Sequence, residues 1–424
     1  MVKEPLTQAE LGRRLRAARD AVGLTQEQAA RHLNTSRSTI AQIELGNRGV
    51  ESLELVQLAT LYHRDLKSLL SPELSEADPV KILMRAEPGI TLDAPARQQI
   101  AWCHELCRAR ADLESLLEID ERRPLPPTYQ LASGGSKWRA IQEGDHLAAQ
   151  ERSRLQLGDA PVRDMAALLE TQGVNCAELP LPSAISGVFI ASKQVSSSCL
   201  LVNSGHHPRR QQFSYAHEYC HVLADRARGA GISHDGNQDE YFEVRANAFA
   251  AAFLVPAGGV LAVLASLGKL PARTAEIAAV DGALRVKGRP PPRATDGELQ
   301  VCDVVRVADH FGVSYKSAAF RLKNLGHLND ERLEFLLSRE EEAREVRRRE
   351  PGRRRAEHQA TARFRQRLLE LAIEAYRQEE ISWSRLGELG ALAKYSSKEV
   401  AEHARSVGLD PSLIPYRRQV MGKS

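Results

Sequence analysis

Near the start of the chain, apolar residues recur at helical spacing in short runs. Residues typical of turns separate these runs. Thr7-Gln-Ala-Glu10 has the form of a capping box, so a helix is predicted to begin there. That helix is predicted to run to Val22, because Gly23 is a typical residue at a helix end. The pattern indicates a helical start to the chain.

Two further helices follow across a tight turn. Thr25-Gln-Glu-Gln28 begins the first, and Asn34-Thr35-Ser36 leads into another helix predicted over residues 37–45. The apolar positions that can form a buried seam between these helices are Ala30, Leu33, Ile40 and Ile43. Two short helices joined in this way form a helix-turn-helix motif.

This region resembles the lambda-repressor-like (Xre) DNA-binding domains. The residues that carry the resemblance are Leu24-Thr-Gln26, Ala29-Ala30, Leu33-Asn-Thr-Ser-Arg37-Ser-Thr39 and Ile40-Ala-Gln42-Ile43-Glu44-Leu-Gly46-Asn-Arg48. The resemblance implies a five-helix DNA-binding domain that binds an operator in double-stranded DNA, as a homodimer.

Six side chains are candidates for contact with DNA. Those expected at the exposed start and outer face of the third helix, where they would meet base edges, are Arg37, Ser38, Thr39 and Gln42. Gln26, at a helix amino terminus, and Arg48, after the third helix, suit phosphate groups. The alternative is an ordinary solvated polar surface, and the turn signature favours DNA binding over it.

A second candidate site lies in the middle of the chain, at His217-Glu218-Tyr-Cys-His221. Residues four apart lie about 40° from each other around a helix, so both imidazoles can face one ion. Zinc lowers the pKa of a water molecule that it binds to about 7, and Glu218 is placed to take the proton. The spacing predicts a hydrolytic zinc site, with manganese as the less favoured metal.

A third ligand is expected from an Ala-rich helix that is predicted to end at Pro256. Glu243, at the start of this helix, would complete a His₂Glu set that leaves a fourth position open. Asp239 and Glu240 compete for this role. Cys220 points to another side of the first helix and is expected to be a packed thiol.

Together the two motifs resemble the ImmA/IrrE family of metallopeptidases. The residues that carry this resemblance are Arg210-Gln-Gln-Phe-Ser-Tyr-Ala-His217-Glu218-Tyr-Cys-His221 and Glu243-Val-Arg-Ala-Asn247-Ala-Phe-Ala-Ala. The resemblance implies that His217, His221 and Glu243 bind Zn²⁺. It also implies that Glu218 is the catalytic base of an endopeptidase.

The chain departs from the usual family pattern at two positions, neither of which removes a ligand. Cys220 stands where Gly is common, and Arg245 stands where an acidic residue is common. Four neighbouring side chains are weaker candidates to stabilise an oxyanion, namely His206, His207, Tyr215 and His234.

The resemblance covers roughly residues 140–330, and the region before the His-Glu motif suits a small α/β peptidase. Residues 185–191 and 199–203 read as short strands joined by a Ser-rich turn, so a β-hairpin is predicted. An edge strand of this hairpin is a candidate to hold an extended substrate by backbone pairing.

Composition favours a multidomain soluble regulator over a secreted or membrane enzyme. At 424 residues the chain is long enough for about three domains, and its net charge of +3 is only mildly basic. No apolar run approaches the roughly 18 residues that span a bilayer, and the first residues lack the apolar core of a signal peptide. The six cysteines show neither the spacing of a metal site nor that of a disulfide framework, so reduced thiols are expected. A cytoplasmic protein without a membrane partner is expected.

Four regions are predicted, giving a mainly α fold with a small zincin-like α/β peptidase domain. They are a DNA-binding domain at 1–72, a helical linker at 73–135, the zinc peptidase with a helical tail at 136–330 and a helical region at 331–424. A partial apolar stripe on the linker helix, residues 94–120, fits dimerisation or packing within the chain equally well.

Beyond the catalytic motifs the signals are weaker. Residues 282–297 read as a surface loop, and residues 301–325 as a helix, a Gly turn and a helix. The latter segment is expected to cap the peptidase rather than to form a second DNA-binding motif. The Arg-rich run at 344–355 is expected to be a solvated helix, and residues 381–408 a helical hairpin.

Two functions remain open from the sequence. In the first, a DNA-bound transcriptional regulator uses zinc to cleave a repressor, an antitoxin or itself in a stress or mobile-element response, as the family resemblance implies. In the second, the peptidase-like domain is a non-catalytic sensor module. Intact His217, Glu218, His221 and Glu243 favour the first, while a hydrolase of small molecules is the weakest alternative.

Overall fold

The protein is mainly α-helical with one small mixed sheet, as the sequence predicts. The computed structural model describes residues 6–62, 64, 66–70, 83, 92–119, 126–131, 134–191, 198–269, 277–280, 283–286, 299–349 and 360–409. Structural statements below concern these residues.

Five short helices form the amino-terminal part. They are α1 (Gln8–Ala21), α2 (Gln26–His32), α3 (Arg37–Glu44), α4 (Ser52–Leu61) and α5 (Leu66–Leu70). Thr7 caps α1 by accepting from the N–H of Glu10, and a reciprocal capping box between Thr25 and Gln28 opens α2. The predicted helix bounds here are confirmed to within one residue.

The central part combines a sheet with the longest helices. Its elements are α6 (Ala94–Leu116), α7 (Lys137–Arg154), α8 (Met165–Thr171), β1 (Asn175–Leu179), β2 (Ile185–Ala191), β3 (Ser198–Asn203), α9 (Pro208–Ala224), β4 (Ala230–His234), α10 (Tyr241–Leu254) and α11 (Ala257–Ser266). The strand order is β1-β3-β2-β4, with β1 parallel to β3 and the other pairs antiparallel.

The predicted hairpin of β2 and β3 is confirmed, but it forms the centre of the sheet rather than an edge. The edge strands are β1 and β4, so neither strand of the hairpin offers an edge for backbone pairing with an extended substrate. The Ser-rich turn at 192–197 lies outside the described residues.

The sheet is apolar on both faces, because helices cover both of them. Phe189 and Leu200 belong to the core shared with α9 and α10, whereas their neighbours Val188 and Leu201 belong to the core shared with α6. Successive strand residues point to opposite faces, which explains this alternation. Helix α9 therefore lies between the sheet and α10, where its inward residues are deeply buried.

Helix α6 is packed by its own chain over most of its length. Cys103, Leu106 and Cys107 are buried in a core that includes the amino-terminal helices, the sheet and the carboxy-terminal helices. Most of the apolar stripe on this helix is thus covered within the chain, although Leu116 is exposed, and dimerisation stays a prediction. The two thiols are packing residues within that core.

The remaining helices follow the central part along the chain, and one of them contacts the sheet. They are α12 (Val301–Phe311), α13 (Tyr315–Asn324), α14 (Asp330–Ser338), α15 (Glu340–Arg349), α16 (Ala360–Arg377), α17 (Trp383–Leu392) and α18 (Ser397–Ser406). At the start of α16, the Thr361 hydroxyl accepts from the N–H of Glu178 at 2.8 Å and so occupies the edge of β1.

The helix, Gly turn and helix predicted at 301–325 form α12 and α13, and Gly312 ends α12 in the left-handed region. Arg321 on α13 is buried and donates to Asp145 and to the carbonyl oxygen of Val255. This side chain therefore fastens α13 to α7 and α10, which favours the capping role of the segment.

Two predicted segments are described only in part. Of the loop predicted at 282–297, only Ala283–Val286 is described, as a strand (β6) paired with β5 (Ile277–Val280). Of the Arg-rich run, residues 344–349 form the end of α15.

Among the described helices, none is long and apolar enough to cross a membrane alone. Helices α10 and α11 together meet the length and composition criterion, but they are bent by 46° relative to each other and lie largely within the core.

Candidate metal centre

Helix α9 presents its motif residues to the interior of the protein. Pro208 occupies the first helical turn, where the missing N–H removes no hydrogen bond, and His207 caps the amino-terminal end of the helix. His217, Glu218 and His221 are all buried, because α9 is enclosed by β2, β3 and α10. The helix therefore brings the three side chains into a space closed by neighbouring elements.

His217, His221 and Glu243 form one compact cluster. The Nε2 atoms of the two histidines lie 3.3 Å apart, and the Glu243 carboxylate lies 3.0 Å from Nε2 of His217 and 3.4 Å from Nε2 of His221. Ligand atoms of a tetrahedral zinc ion at about 2.0–2.1 Å are roughly 3.3–3.4 Å apart. The spacing of these donor atoms thus fits a zinc ion, and this is the potential metal-binding group found among the described residues.

Both imidazole rings are oriented by hydrogen bonds at their other nitrogen. Nδ1 of His217 lies 3.0 Å from Oδ1 of Asn247, and Nδ1 of His221 lies 2.8 Å from Oδ2 of Asp225. These oxygens accept hydrogen bonds, so Nδ1 is the donor and Nε2 keeps its lone pair for a metal. The ring of Phe189 also stacks on His221, with centroids 5.1 Å apart.

The charges of the cluster favour a cation. Burial would raise the pKa of Glu243, but the two imidazoles outweigh it and hold that pKa well below its usual range. Burial would lower the pKa of His221, whereas Asp225 and Glu243 raise it to about 10. A bound metal cation would take the place of the proton that this negative environment attracts.

The competing third ligands lie elsewhere. Asp239 is exposed and forms an ion pair with Lys137 at 2.6 Å, and Glu240 is an exposed residue at the start of α10. Cys220 is buried near Asp225 and Arg245, and burial raises the pKa of its thiol, as expected of a packed cysteine.

Glu218 is fully buried beside the cluster, and this burial raises the pKa of its carboxyl group. Its oxygens lack a hydrogen bond of ordinary geometry, although the Ser233 side chain lies close enough to favour the charged form. The carboxylate lies against Gly187 of β2, where a Cβ atom would clash with Oε1. The missing side chain at Gly187 therefore leaves room for the Glu218 carboxylate.

Comparison with known families assigns both motif-bearing regions. Residues 169–279 match the peptidase family described as the IrrE N-terminal-like domain, and residues 10–69 match a family described as a helix-turn-helix domain. The chain carries a helix-turn-helix domain followed by an IrrE N-terminal-like domain. No curated protein matches the chain.

The four weaker candidates for oxyanion stabilisation differ in their contacts. His206 contacts the carbonyl oxygen of Ser183, and His207 caps α9. Nδ1 of His234 accepts from the N–H of Gly236. The Tyr215 hydroxyl is buried, and burial together with the nearby charge of Glu178 raises its pKa.

The helix-turn-helix domain exposes its third helix. Arg37, Ser38 and Gln42 are exposed and Thr39 is half-buried, so α3 presents a polar surface to solvent. The hydroxyls of Ser38 and Thr39 contact that of Ser36, the residue that caps α3. Arg37 and Gln42 are the longer side chains on this surface, and Oε1 of Gln42 accepts from the Asn47 side chain at 2.9 Å.

The two expected phosphate contacts are engaged within the domain. Gln26 donates to Glu44 at 2.9 Å, and Arg48 forms a two-point ion pair with Glu54. A role for either residue at phosphate stays a prediction, and Arg48 would have to exchange its partner to fulfil it.

Three residues of the candidate metal centre were given no role from the sequence, namely Gly187, Asp225 and Asn247, although Asn247 belongs to the family motif. Asp225 and Asn247 stand four residues after His221 and Glu243, a spacing that places them on the same side of the helix. Gly187 has no comparable signal, because its role depends on the contact between β2 and α9.

Proposed function

We propose that this protein is a cytoplasmic DNA-binding transcriptional regulator whose IrrE N-terminal-like domain is a zinc-dependent endopeptidase. Its substrate would be a regulatory protein, such as a repressor or an antitoxin, or the chain itself, in a stress or mobile-element response. The observation that carries the proposal is the buried carboxylate of Glu218 beside the His217–His221–Glu243 cluster.

The chain's own residues suit peptide hydrolysis. His217, His221 and Glu243 would hold zinc, which supplies Lewis acidity and lowers the pKa of water. Glu218 would accept a proton at its carboxylate and deliver it to the amine that leaves. Burial raises the pKa of Glu218, and a base with a raised pKa binds that proton more readily during the reaction.

Glu218 also favours catalysis over a purely sensory role. A buried carboxylate without full hydrogen bonding costs free energy, and it contributes no ligand to the three-residue cluster. A structural zinc site would be more stable with an apolar residue at this position. The non-catalytic sensor therefore remains the second candidate, because it leaves the burial of Glu218 without a purpose.

Gly187→Ala tests whether the position of Glu218 matters for cleavage. The new methyl group would clash with Oε1 of Glu218, so the buried carboxylate must move. A misplacement of about 1 Å can cost about 10²-fold in rate, and we expect that loss with zinc affinity unchanged. Gly387→Ala, where a Cβ meets nothing within 4 Å, is the control. Cleavage by Gly187→Ala at the wild-type rate would contradict the assigned role of Glu218.

The DNA-binding half of the proposal predicts a separate defect. Arg37→Ala and Gln42→Ala should each weaken binding to the preferred sequence by about 1–3 kcal/mol, because each removes a contact to a base edge. Fluorescence anisotropy with a genomic fragment selected by the wild-type protein measures the loss. Lys398→Ala removes an exposed charge on α18 and should have no effect. Equal binding of selected and scrambled DNA by wild type and both variants would refute the assigned reading surface.

A further inference from the structure

A buried row of charged groups leads away from the metal-binding cluster. Asp225 accepts from Nδ1 of His221 through Oδ2 at 2.8 Å, and through Oδ1 it accepts from Nη2 of Arg245 at 2.5 Å. Nη1 of Arg245 lies 3.5 Å from Oε2 of Glu143 on α7. Beyond His221, the row thus contains Asp225 at the end of α9, Arg245 on α10 and Glu143 on α7.

We infer that Arg245 is a positioning residue of the metal centre, which acts through Asp225 to fix the ring of His221. This inference deepens the proposed function and depends on the zinc site that it contains. Arg245 would touch neither substrate nor metal. Its effect would be on how firmly His221 holds the ion.

The geometry around Asp225 explains why a second anchor is needed. Asp225 follows α9, and its N–H donates to the carbonyl oxygen of His221 at 2.8 Å, so its backbone is tied to the ligand. Its side chain contacts the imidazole through Oδ2 and Arg245 through Oδ1. The bond to Arg245 holds Oδ1 in place and so directs Oδ2 to the imidazole.

Arg245 is itself held rigidly. It is 1% exposed, and its guanidinium carbon lies 5.4 Å from the ring centroid of Phe242 and 5.7 Å from that of Tyr241. An arginine buried to this extent would be costly without charged partners, and Asp225 and Glu143 supply them. A rigid, planar donor is suited to fixing the orientation of a carboxylate.

Helix α10 therefore orients both histidines as well as supplying the third ligand. Asn247 fixes the ring of His217 directly, and Arg245 fixes that of His221 through Asp225. The two rings differ in that one is held by a neutral amide and the other by an ion pair. The inference predicts that loss of the ion pair weakens zinc binding without removing a ligand.

The test is the zinc affinity of the full-length protein, measured by competition with a chelator. We expect Arg245→Met, Arg245→Lys and Asp225→Asn each to bind zinc about 10- to 100-fold more weakly than wild type. The double variant Asp225→Asn/Arg245→Met should bind no more weakly than the poorer single variant, because both changes break one chain of contacts. The absorption bands of bound Co²⁺ should shift in these variants, which reports the ligand geometry directly.

Arg321→Met is the matched control, since Arg321 is also buried and paired with an aspartate, Asp145, but away from the cluster. It should lower stability while leaving zinc affinity and the Co²⁺ spectrum unchanged. If Arg245→Met does not fold, Asp225→Asn and Arg245→Lys decide the question.

Zinc binding by the Arg245 and Asp225 variants within about twofold of wild type, with an unaltered Co²⁺ spectrum, would overturn the inference and leave the pair a structural role. A wild-type protein that binds no zinc would overturn the proposed metal centre as well. Because cleavage is not measured, a catalytically silent protein that binds zinc still tests the positioning role.

Discussion

Replacing Glu218 with Gln should lower the rate of peptide-bond cleavage by about 10²- to 10⁴-fold while zinc and DNA binding are retained. The amide keeps the shape of the side chain but cannot accept the proton. Because Glu218 lies beside the His217–His221–Glu243 cluster and outside it, zinc affinity should not fall. The rate is measured as the appearance of a new peptide terminus in a co-expressed partner protein or in the chain itself.

Glu240→Gln is the control for this experiment. Glu240 is an exposed carboxylate three residues before Glu243, so the same chemical change is made close to the site without touching it. The control should cleave at the wild-type rate. If Glu218→Gln also cleaved at that rate, the base would have to be another group and the mechanism proposed for this site would be wrong.

Glu44→Ala should destabilise the helix-turn-helix domain by about 3 kcal/mol, because Arg19 loses its buried charge partner and keeps the ion pair with the more exposed Asp20. Arg19 donates to Glu44 from Nε at 2.6 Å and from Nη2 at 3.0 Å, and both side chains are nearly inaccessible. The hydrogen bond to Glu44 holds the pKa of Arg19 above its usual value. Gln26 donates to the same carboxylate, so the change also removes a hydrogen bond between α2 and α3.

Hydrogen exchange of the α1–α3 amides in the full-length protein measures this loss, since a multidomain chain need not unfold in one step. The double variant Arg19→Met/Glu44→Ala removes both charges and should recover much of the stability. Zinc affinity is the internal control, because the metal centre is formed by other helices. Unchanged exchange in Glu44→Ala would show that the pair contributes little.

The sequence predicted the local elements well where the signal was itself local. Thr7 and Thr25 identified the starts of α1 and α2 because capping depends on residues three positions apart. The spacing of His217 and His221 identified two members of the cluster for the same reason. Glu243 was found through the family motif and its place at the start of a helix.

What the sequence did not predict depends on contacts between distant segments. The position of β4 at the sheet edge, the contact of Gly187 with Glu218 and the link from Arg245 to Asp225 all join residues that are more than 15 positions apart. Arg48 was expected to face phosphate, but it pairs with Glu54, and no local pattern predicts that contact. The covering of α6 by the sheet and the carboxy-terminal helices is likewise a tertiary effect.

The most direct test of the proposed activity is co-expression of the wild-type protein and Glu218→Gln with the products of the neighbouring genes, read by mass spectrometry for new peptide termini. We expect a cut in one partner, or in the chain itself, that appears with wild type and is absent with Glu218→Gln. Such a cut would identify the substrate as well as the reaction. No cut with zinc-loaded wild type under stress conditions, or a cut that persists in Glu218→Gln, would contradict the assignment and favour a DNA-binding sensor with a non-catalytic metal site.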